Sequence, residues 1–239
     1  MRNFPQLNGF KGAPGLIRLI GHRGARGLMP ENTLEGFEYT LDLDVRALEF
    51  DVLISKDNVP VITHDYQLAA AITRNKSGEW LTNHCPKVNE LTLSELKQFD
   101  VGGLDQHSVY GKNYPHQKFL SGVRIPKLSE LLDLVCSQTN KNIYLLLEIK
   151  PTPSQNIANV VRKIVTEISE KKLFHCTVLH SFDWDLLKEC QRVAPEIACS
   201  FLSELPGNDD ETFDEHFENH TPDFSSFDVS IPKAIANLC

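Results

Sequence analysis

Two carboxylates, two residues apart in an otherwise apolar run, constrain this chain more than any other feature. The segment Ala47-Leu48-Glu49-Phe50-Asp51-Val52-Leu53-Ile54 has the apolar continuity of a strand covered on both faces. Alternation along a strand turns Glu49 and Asp51 to the same face. Burying two carboxylates together is unfavourable unless positive charge accompanies them. Hard carboxylate oxygens suit a divalent cation such as Mg2+ or Ca2+. Lys56-Asp57-Asn58 then reads as a turn and Val59 to His64 as a second strand. A hairpin would set His64 roughly opposite Glu49, and a parallel barrel strand would also end at His64. Either geometry brings an imidazole to the carboxylates.

The same pattern of apolar strands ending in charge recurs. Leu16 to His22 reads as a strand running into the glycine-punctuated loop Arg23-Gly24-Ala25-Arg26-Gly27. Pro30-Glu31-Asn32-Thr33 opens a helix, with Asn32 or Thr33 as N-cap and Leu34, Phe37 and Leu41 inward. From Tyr66 to about Leu120 periodicity is poor and turns are frequent, apart from a short helix whose Thr92 and Glu95 have capping-box spacing. So long an irregular stretch reads as an insertion over a site, residues 66–120. Order resumes with a helix from Leu128, a strand Asn142 to Lys150 and a helix marked by Ile157, Val160, Val161, Ile164 and Ile168. A strand Cys176 to Phe182, a helix capped by Asp183, a strand Ile197 to Leu202 and a weak strand Asp223 to Ile231 complete the series. Alternating strands and helices predict one parallel-stranded α/β domain over residues 1–239.

Composition excludes several classes. A chain of 239 residues with 41% hydrophobic and 23% charged residues is of ordinary globular make-up. A formal net charge of -8 argues against a nucleic-acid surface. No apolar run reaches the ~20 residues of a membrane span, and the start lacks a signal-peptide core, so the cytoplasm is the expected compartment. The six cysteines show no C-x-x-C spacing, so neither a zinc site nor a disulfide framework is expected.

Charged groups thus end successive apolar strands: His22 and Arg23, Glu49 and Asp51, His64 and Asp65, Glu148 and Lys150. In a (β/α) barrel such strand ends converge in one mouth. Glu148 and Lys150 share a face as Glu49 and Asp51 do, which adds a third metal carboxylate and a cation to the set.

Gly21-His22-Arg23-Gly24, Pro30-Glu31-Asn32-Thr33, Glu49-Phe50-Asp51-Val52, Lys56-Asp57, Pro60-Val61, His64-Asp65, Glu148-Ile149-Lys150 and Ser181-Phe182 together resemble the glycerophosphodiester phosphodiesterase family. The match runs in order from about Leu19 to Leu202. The resemblance implies a TIM (β/α)8 barrel with a small inserted subdomain after His64-Asp65. It also implies metal-dependent hydrolysis of glycerophosphodiesters to glycerol 3-phosphate and an alcohol, through a cyclic phosphate. By position, Glu49, Asp51 and Glu148 would hold one divalent cation, Mg2+ or Ca2+. His22 and His64 would form the acid-base pair, with His64 as base and His22 as acid, and Arg23 and Lys150 would hold the phosphate. His180 is a departure, standing where the family often has a glutamine, and is expected to line the pocket at most.

The partner expected is a small-molecule glycerophosphodiester, with no nucleic acid and no membrane span. Two other readings share the residues: a related barrel lipid phosphodiesterase of phospholipase C or sphingomyelinase D type, and a binding module that kept the fold. Seven strand-like segments can be counted, near Leu19, Phe50, Ile62, Leu146, Leu179, Cys199 and Phe227. A closed barrel has eight, so a C-terminal strand either missing or diverged beyond recognition is expected.

Overall fold

The computed structural model describes residues 4–11, 15, 17–82, 85–139, 141–153 and 155–203. Its centre is strand β1 (Ala47–Ile54), buried at every position. Strands β2 (Pro60–Ile62), β3 (Tyr144–Ile149), β4 (Thr177–Ser181) and β5 (Ala198–Phe201) complete a five-stranded sheet in the order β2-β1-β3-β4-β5. The β1–β3, β3–β4 and β4–β5 neighbours are parallel, with Asp51 beside Glu148 and Glu148 beside His180. Parallel strands with helices between them are the arrangement of a (β/α) barrel wall.

The β1–β2 pair is antiparallel, with Val52 opposite Ile62 and Ile54 opposite Pro60. Asn58 makes the turn in the left-handed region at φ 62°. Of the two geometries open to the Val59–His64 segment, the structure has the hairpin, so Ile62 belongs to a hairpin arm and not to a parallel barrel strand. Continued by two residues, this register aligns His64 with Phe50, one position from Glu49. The strand expected over Leu16–His22 is reduced to one parallel bridge between Gly21 and Leu48. Gly21 N donates to Ala47 O at 2.8 Å and Glu49 N to Gly21 O at 2.9 Å. The residues before it gain little cover, and Ile17 and Leu19 are exposed. The segment near Phe227, and with it the question of a final strand, lies outside the described residues.

Strand alternation sorts the sheet's two faces. Leu48, Phe50, Val52 and Ile54 of β1, with Leu145, Leu147 and Ile149 of β3 and Leu179 of β4, pack into the main hydrophobic core. The other side of that core comes from α1 (Leu34–Asp42) and from the later helices. In the described chain these follow the short helices α2 (Leu93–Leu96) and α3 (Val109–Asn113), and are α4 (Leu128–Ser137), α5 (Ile157–Glu170) and α6 (Trp184–Val193). In α5 the inward residues Val160, Val161, Ile164 and Ile168 follow the expected spacing. Each such side chain contributes about 1.5–3 kcal/mol when fully buried. Glu49, Asp51, Glu148 and His180 have the opposite parity, so the packing that builds the core also turns them to the other face. No helix among the described residues is long and apolar enough to cross a membrane.

Residues 66–120 are better packed than their sequence suggests. Leu68, Val88, Leu96 and Val101 form a second core with Leu53 and Val61 of the hairpin and with Val123 and Ile125. The pattern is hard to read because these residues come from turns and one short helix, α2, in place of a periodic element. Thr92 and Glu95 do form the capping box of α2.

Phe37 of α1 is fully buried and meets Phe50 edge-on at 5.9 Å between ring centroids. Replacing it tests how far α1 holds β1 in place. Phe37→Ala should lower the unfolding free energy by about 3–5 kcal/mol in urea titrations; a loss below about 1 kcal/mol would show that the helix is not a structural support of β1.

Candidate active site

Asp51 has the most enclosed carboxylate of the site, and each of its oxygens is engaged. Lys150 Nζ lies 3.1 Å from Oδ1. Asn32 Nδ2 donates to Oδ2 at 2.8 Å, and Arg23 Nε lies 3.4 Å from the same oxygen. Burial alone would raise this carboxyl group, but Lys150, and then His64, Arg23 and Asn32, hold it well below the usual carboxylate range. Lys150 Nζ also meets Glu148 Oε1 at 2.5 Å. The two carboxylates outweigh the lysine's own desolvation and raise its pKa.

The motif Pro30-Glu31-Asn32-Thr33 gives each residue a separate task. Thr33 is the N-cap of α1, its hydroxyl accepting from Gly36 N at 3.1 Å. Asn32 is therefore not the cap; it adopts a left-handed φ of 54° that aims its amide at Asp51. Glu31 accepts from Arg23 Nη1 at 2.8 Å. Arg23 is also left-handed, at φ 51°, and its backbone N–H donates to Glu49 Oε2 at 2.9 Å. Two non-glycine residues in this region mark stored backbone strain next to the carboxylates. At the neighbouring Gly24, φ is 80° and an added Cβ would come within 3.1 Å of Gly36 backbone, so a side chain there would push α1 away.

Glu49 is less well compensated than Asp51. Burial first, and then Asp51, push it up to about 8, against the Arg23 N–H that stabilises its charge. Burial likewise raises Glu148, with Lys150 opposing. Glu31, Asp51 and Glu148 pair with Arg23 and Lys150, whereas buried Glu49 has only the Arg23 N–H and the His22 and His180 rings beside it. Fully ionised, the four carboxylates would exceed the two cations by the charge of one divalent ion, and Glu49, the least compensated of them, is the one that burial and Asp51 keep protonated up to about 8.

The imidazoles border this cluster. His22 Nε2 lies 3.7 Å from Glu49 Oε2, with 53% of its side chain exposed. Desolvation, then Arg26 and Arg23, lower its pKa to about 4, an effect that solvent contact moderates. His64 Nδ1 is 2.6 Å from Asp65 Oδ1. His180 is buried on β4, with Nε2 3.9 Å from Glu49 Oε1. Burial lowers it to about 4, which keeps the ring neutral.

One ligand atom from each of Glu49, Glu148 and His180 lies within 4.8 Å of the others, a set that could hold a metal ion. His180 Nε2 is a buried atom without a hydrogen-bond partner, which is the behaviour of a ligand nitrogen rather than of a satisfied core histidine. The donor chemistry and the unmatched charge therefore fit a divalent cation. Of the residues singled out in the sequence, Glu49, Asp51, Glu148, Lys150 and Arg23 are joined in one network, with His22 at 3.7 Å from Glu49. His64 is coupled to that network through Asp51. His180, expected to line the pocket at most, is turned to the carboxylates by the alternation that puts Leu179 in the core. Sequence reading missed Glu31 and Tyr110 as site residues. The Tyr110 hydroxyl of α3 donates to Glu31 Oε2, a contact across 79 residues that no local pattern signals.

A mostly parallel α/β sheet with carboxylates, imidazoles and cations gathered along one face is a site that could hold a metal ion. The chain belongs to the glycerophosphoryl diester phosphodiesterase family, whose profile matches residues 22–222. A structure from Silicibacter pomeroyi DSS-3, provisionally named a glycerophosphoryl diester phosphodiesterase, is 46% identical with a TM-score of 0.86, covering 98% of this chain and 76% of that one. An Oleispira antarctica phosphodiesterase, solved with the product sn-glycerol-3-phosphate, is 28% identical with a TM-score of 0.59, covering 81% of this chain and 69% of that one. The glycerophosphodiester phosphodiesterase of Caldanaerobacter subterraneus subsp. tengcongensis is 27% identical over 184 residues, which is 77% of this chain and 65% of that protein. Mouse glycerophosphodiester phosphodiesterase domain-containing protein 4 is 30% identical over 195 residues, 71% of this chain and 28% of that protein. The chain thus spans less than two thirds of these curated relatives. The fold is the TIM-barrel type of this family.

The raised Glu49 carboxyl has a measurable consequence. The folded protein retains there a proton that the unfolded chain releases above its ordinary value of 4.5, so this contribution to stability is full below about 4.5 and is lost as pH rises to about 8. Asp51, held low, acts in the opposite sense and only at more acid pH. In chelator-treated protein the melting temperature should fall across that window, and Glu49→Gln should flatten the fall. Equal slopes in both proteins would remove Glu49 as the source.

Proposed function

We propose that this chain hydrolyses glycerophosphodiesters to glycerol 3-phosphate and an alcohol, with a divalent cation held at Glu49, Asp51 and Glu148 and with His22 and His64 as the acid-base pair. One observation supports the reading: a buried cluster whose carboxylates, fully ionised, are short of two positive charges, with His22 in the loop after Gly21 and His64 after the β1–β2 hairpin beside it. Family membership and the product found in the Oleispira protein support the substrate class. When bound, the cation would neutralise a phosphodiester that otherwise repels nucleophiles.

The protein's own groups have distinct tasks in this scheme. The His64 tautomer that donates Nδ1–H to Asp65 leaves Nε2 to accept a proton, so His64 takes the proton from the neighbouring glycerol hydroxyl. That oxygen forms a bond to phosphorus as the bond to the alcohol oxygen breaks, giving a cyclic phosphate. His22 gives its proton to the departing oxygen, its protonated form favoured by the anionic substrate beside it. Water then opens the ring as the two histidines exchange roles. Arg23 and Lys150, fixed by Glu31, Asp51 and Glu148, present positive charge to the phosphate oxygens without having to reorganise.

Residues 66–120 serve as an inserted subdomain over the site and set the fit on the glycerol side. Their support for this role is the line of contacts from Tyr110 to Glu31 to Arg23. Gln117 Nε2, donating to Arg26 O at 2.7 Å, ties the insertion to the same loop.

Release of glycerol 3-phosphate from several glycerophosphodiesters, with and without a chelator, tests the reaction. His22→Ala or His64→Ala should each lower kcat roughly 10²–10⁴-fold in a folded protein, and the double variant should lose much less than the product of the two. Full activity in chelator-treated, metal-free protein would refute the metal's part, and normal turnover by His64→Ala on a poor leaving group would refute the base. Tyr110→Phe should raise KM about 10-fold, the worth of one hydrogen bond to a charged group, with a smaller effect on kcat. A fall in kcat at constant KM would place Tyr110 in catalysis instead.

A further inference from the structure

The metal position proposed above leaves one buried group without a task, and that group is His180. It lies in register with Glu148 on the adjacent parallel strand and therefore on the same face at the same level. At the end of β4, Ser181 is not available for chemistry: its hydroxyl donates to Ile149 O at 2.6 Å and accepts from Asp183 N at 3.0 Å. His180 differs. Its side chain is 7% exposed and its Nε2 has no hydrogen-bond partner while pointing towards Glu49 Oε1 at 3.9 Å.

We propose that His180 is a nitrogen ligand to the divalent ion shared by Glu49 and Glu148, and that it shifts the site's preference from Mg2+ and Ca2+ towards Mn2+ and other first-row ions. The inference rests on the metal-dependent reading of the site. Its geometric ground is the common 4.8 Å limit on the three ligand atoms. Atoms that each lie about 2.0–2.4 Å from one ion cannot be further apart than about twice that. The assignment also accounts for Asp51. Its oxygens are already engaged by Lys150, Asn32 and Arg23, so the imidazole completes a ligand set in which Asp51 is the carboxylate most committed to other partners. Imidazole suits manganese, cobalt or zinc better than it suits magnesium or calcium, which favour all-oxygen sites.

The test is spectroscopic and needs no substrate. Mn2+-loaded wild-type protein should show nitrogen-14 modulation of the electron spin echo. His180→Gln should still bind Mn2+ but lose the modulation, and its preference for Mn2+ over Ca2+ in competition titrations should fall ~10-fold or more. His22→Gln should keep the modulation, which separates the two imidazoles near Glu49. Bound Mn2+ without nitrogen modulation in the wild type would overturn the proposal. So would modulation that survives in His180→Gln or vanishes in His22→Gln, or a failure of the wild type to bind Mn2+. If His180→Gln does not fold, His180→Asn takes its place, and His64→Gln, like His22→Gln, should keep the modulation. Failure to hydrolyse glycerophosphodiesters would leave these spectra unaffected, so the two readings fail separately.

Discussion

The clamp on Asp51 is the interaction on which the rest of the site depends. A carboxylate with 1% exposure at the centre of a sheet is strongly unfavourable unless donors replace the water it has lost. Lys150 comes from the end of β3, Asn32 from the turn before α1 and Arg23 from the loop after Gly21. Three segments are thus fixed relative to β1 by one side chain. Breaking such a buried pair from one side typically costs about 3–5 kcal/mol, because the remaining charge is left buried. The clamp therefore gives the site its geometry more than it gives the fold net stability.

The backbone around the clamp shows what that geometry requires. Arg23 and Asn32 both occupy the left-handed region, which costs free energy for residues with a Cβ. Each gains a specific placement in return: an N–H on Glu49 for Arg23 and an amide on Asp51 for Asn32. The insertion extends this arrangement. It has its own small core against the β1–β2 hairpin, so it is a braced element, and Tyr110 carries its position to Glu31 and Arg23.

Charge compensation within the cluster is deliberately incomplete in effect, whatever its origin. Asp51 is held ionised by neighbouring cations, whereas Glu49, two residues away on the same face, is pushed towards its neutral form. Two like groups with such different environments divide into an anchor and an acceptor of further positive charge. His180, neutral through burial, adds a nitrogen donor on the acceptor's side. The cation proposed at Glu49 and Glu148 would take its place on the acceptor's side of this division.

Much of the fold could be read directly from the sequence. The continuous apolar runs at Ala47–Ile54 and Tyr144–Ile149 determine buried strands, and 3.6-residue spacing determines α5. The parity of Glu49 and Asp51 against Leu48, Phe50 and Val52 determines that both acids leave the core on one side, since an extended backbone turns successive side chains to opposite faces. The same alternation groups Glu148 with Lys150, whereas His22, Arg23 and His64 are singled out by their places at strand ends and by the family resemblance. What the sequence left open, the tertiary structure decided: the antiparallel hairpin, the loss of strand character before Gly21, the second core in residues 66–120 and the partners of each charge. Lys150 reads as a phosphate ligand by position, and only the fold shows that it lies between Asp51 and Glu148. His180 reads as lining, yet cross-strand register puts it beside Glu148. Local pattern sets which face a side chain takes. Only the pairing of distant segments sets which other charges it meets, and in a low-dielectric interior those neighbours decide its chemistry.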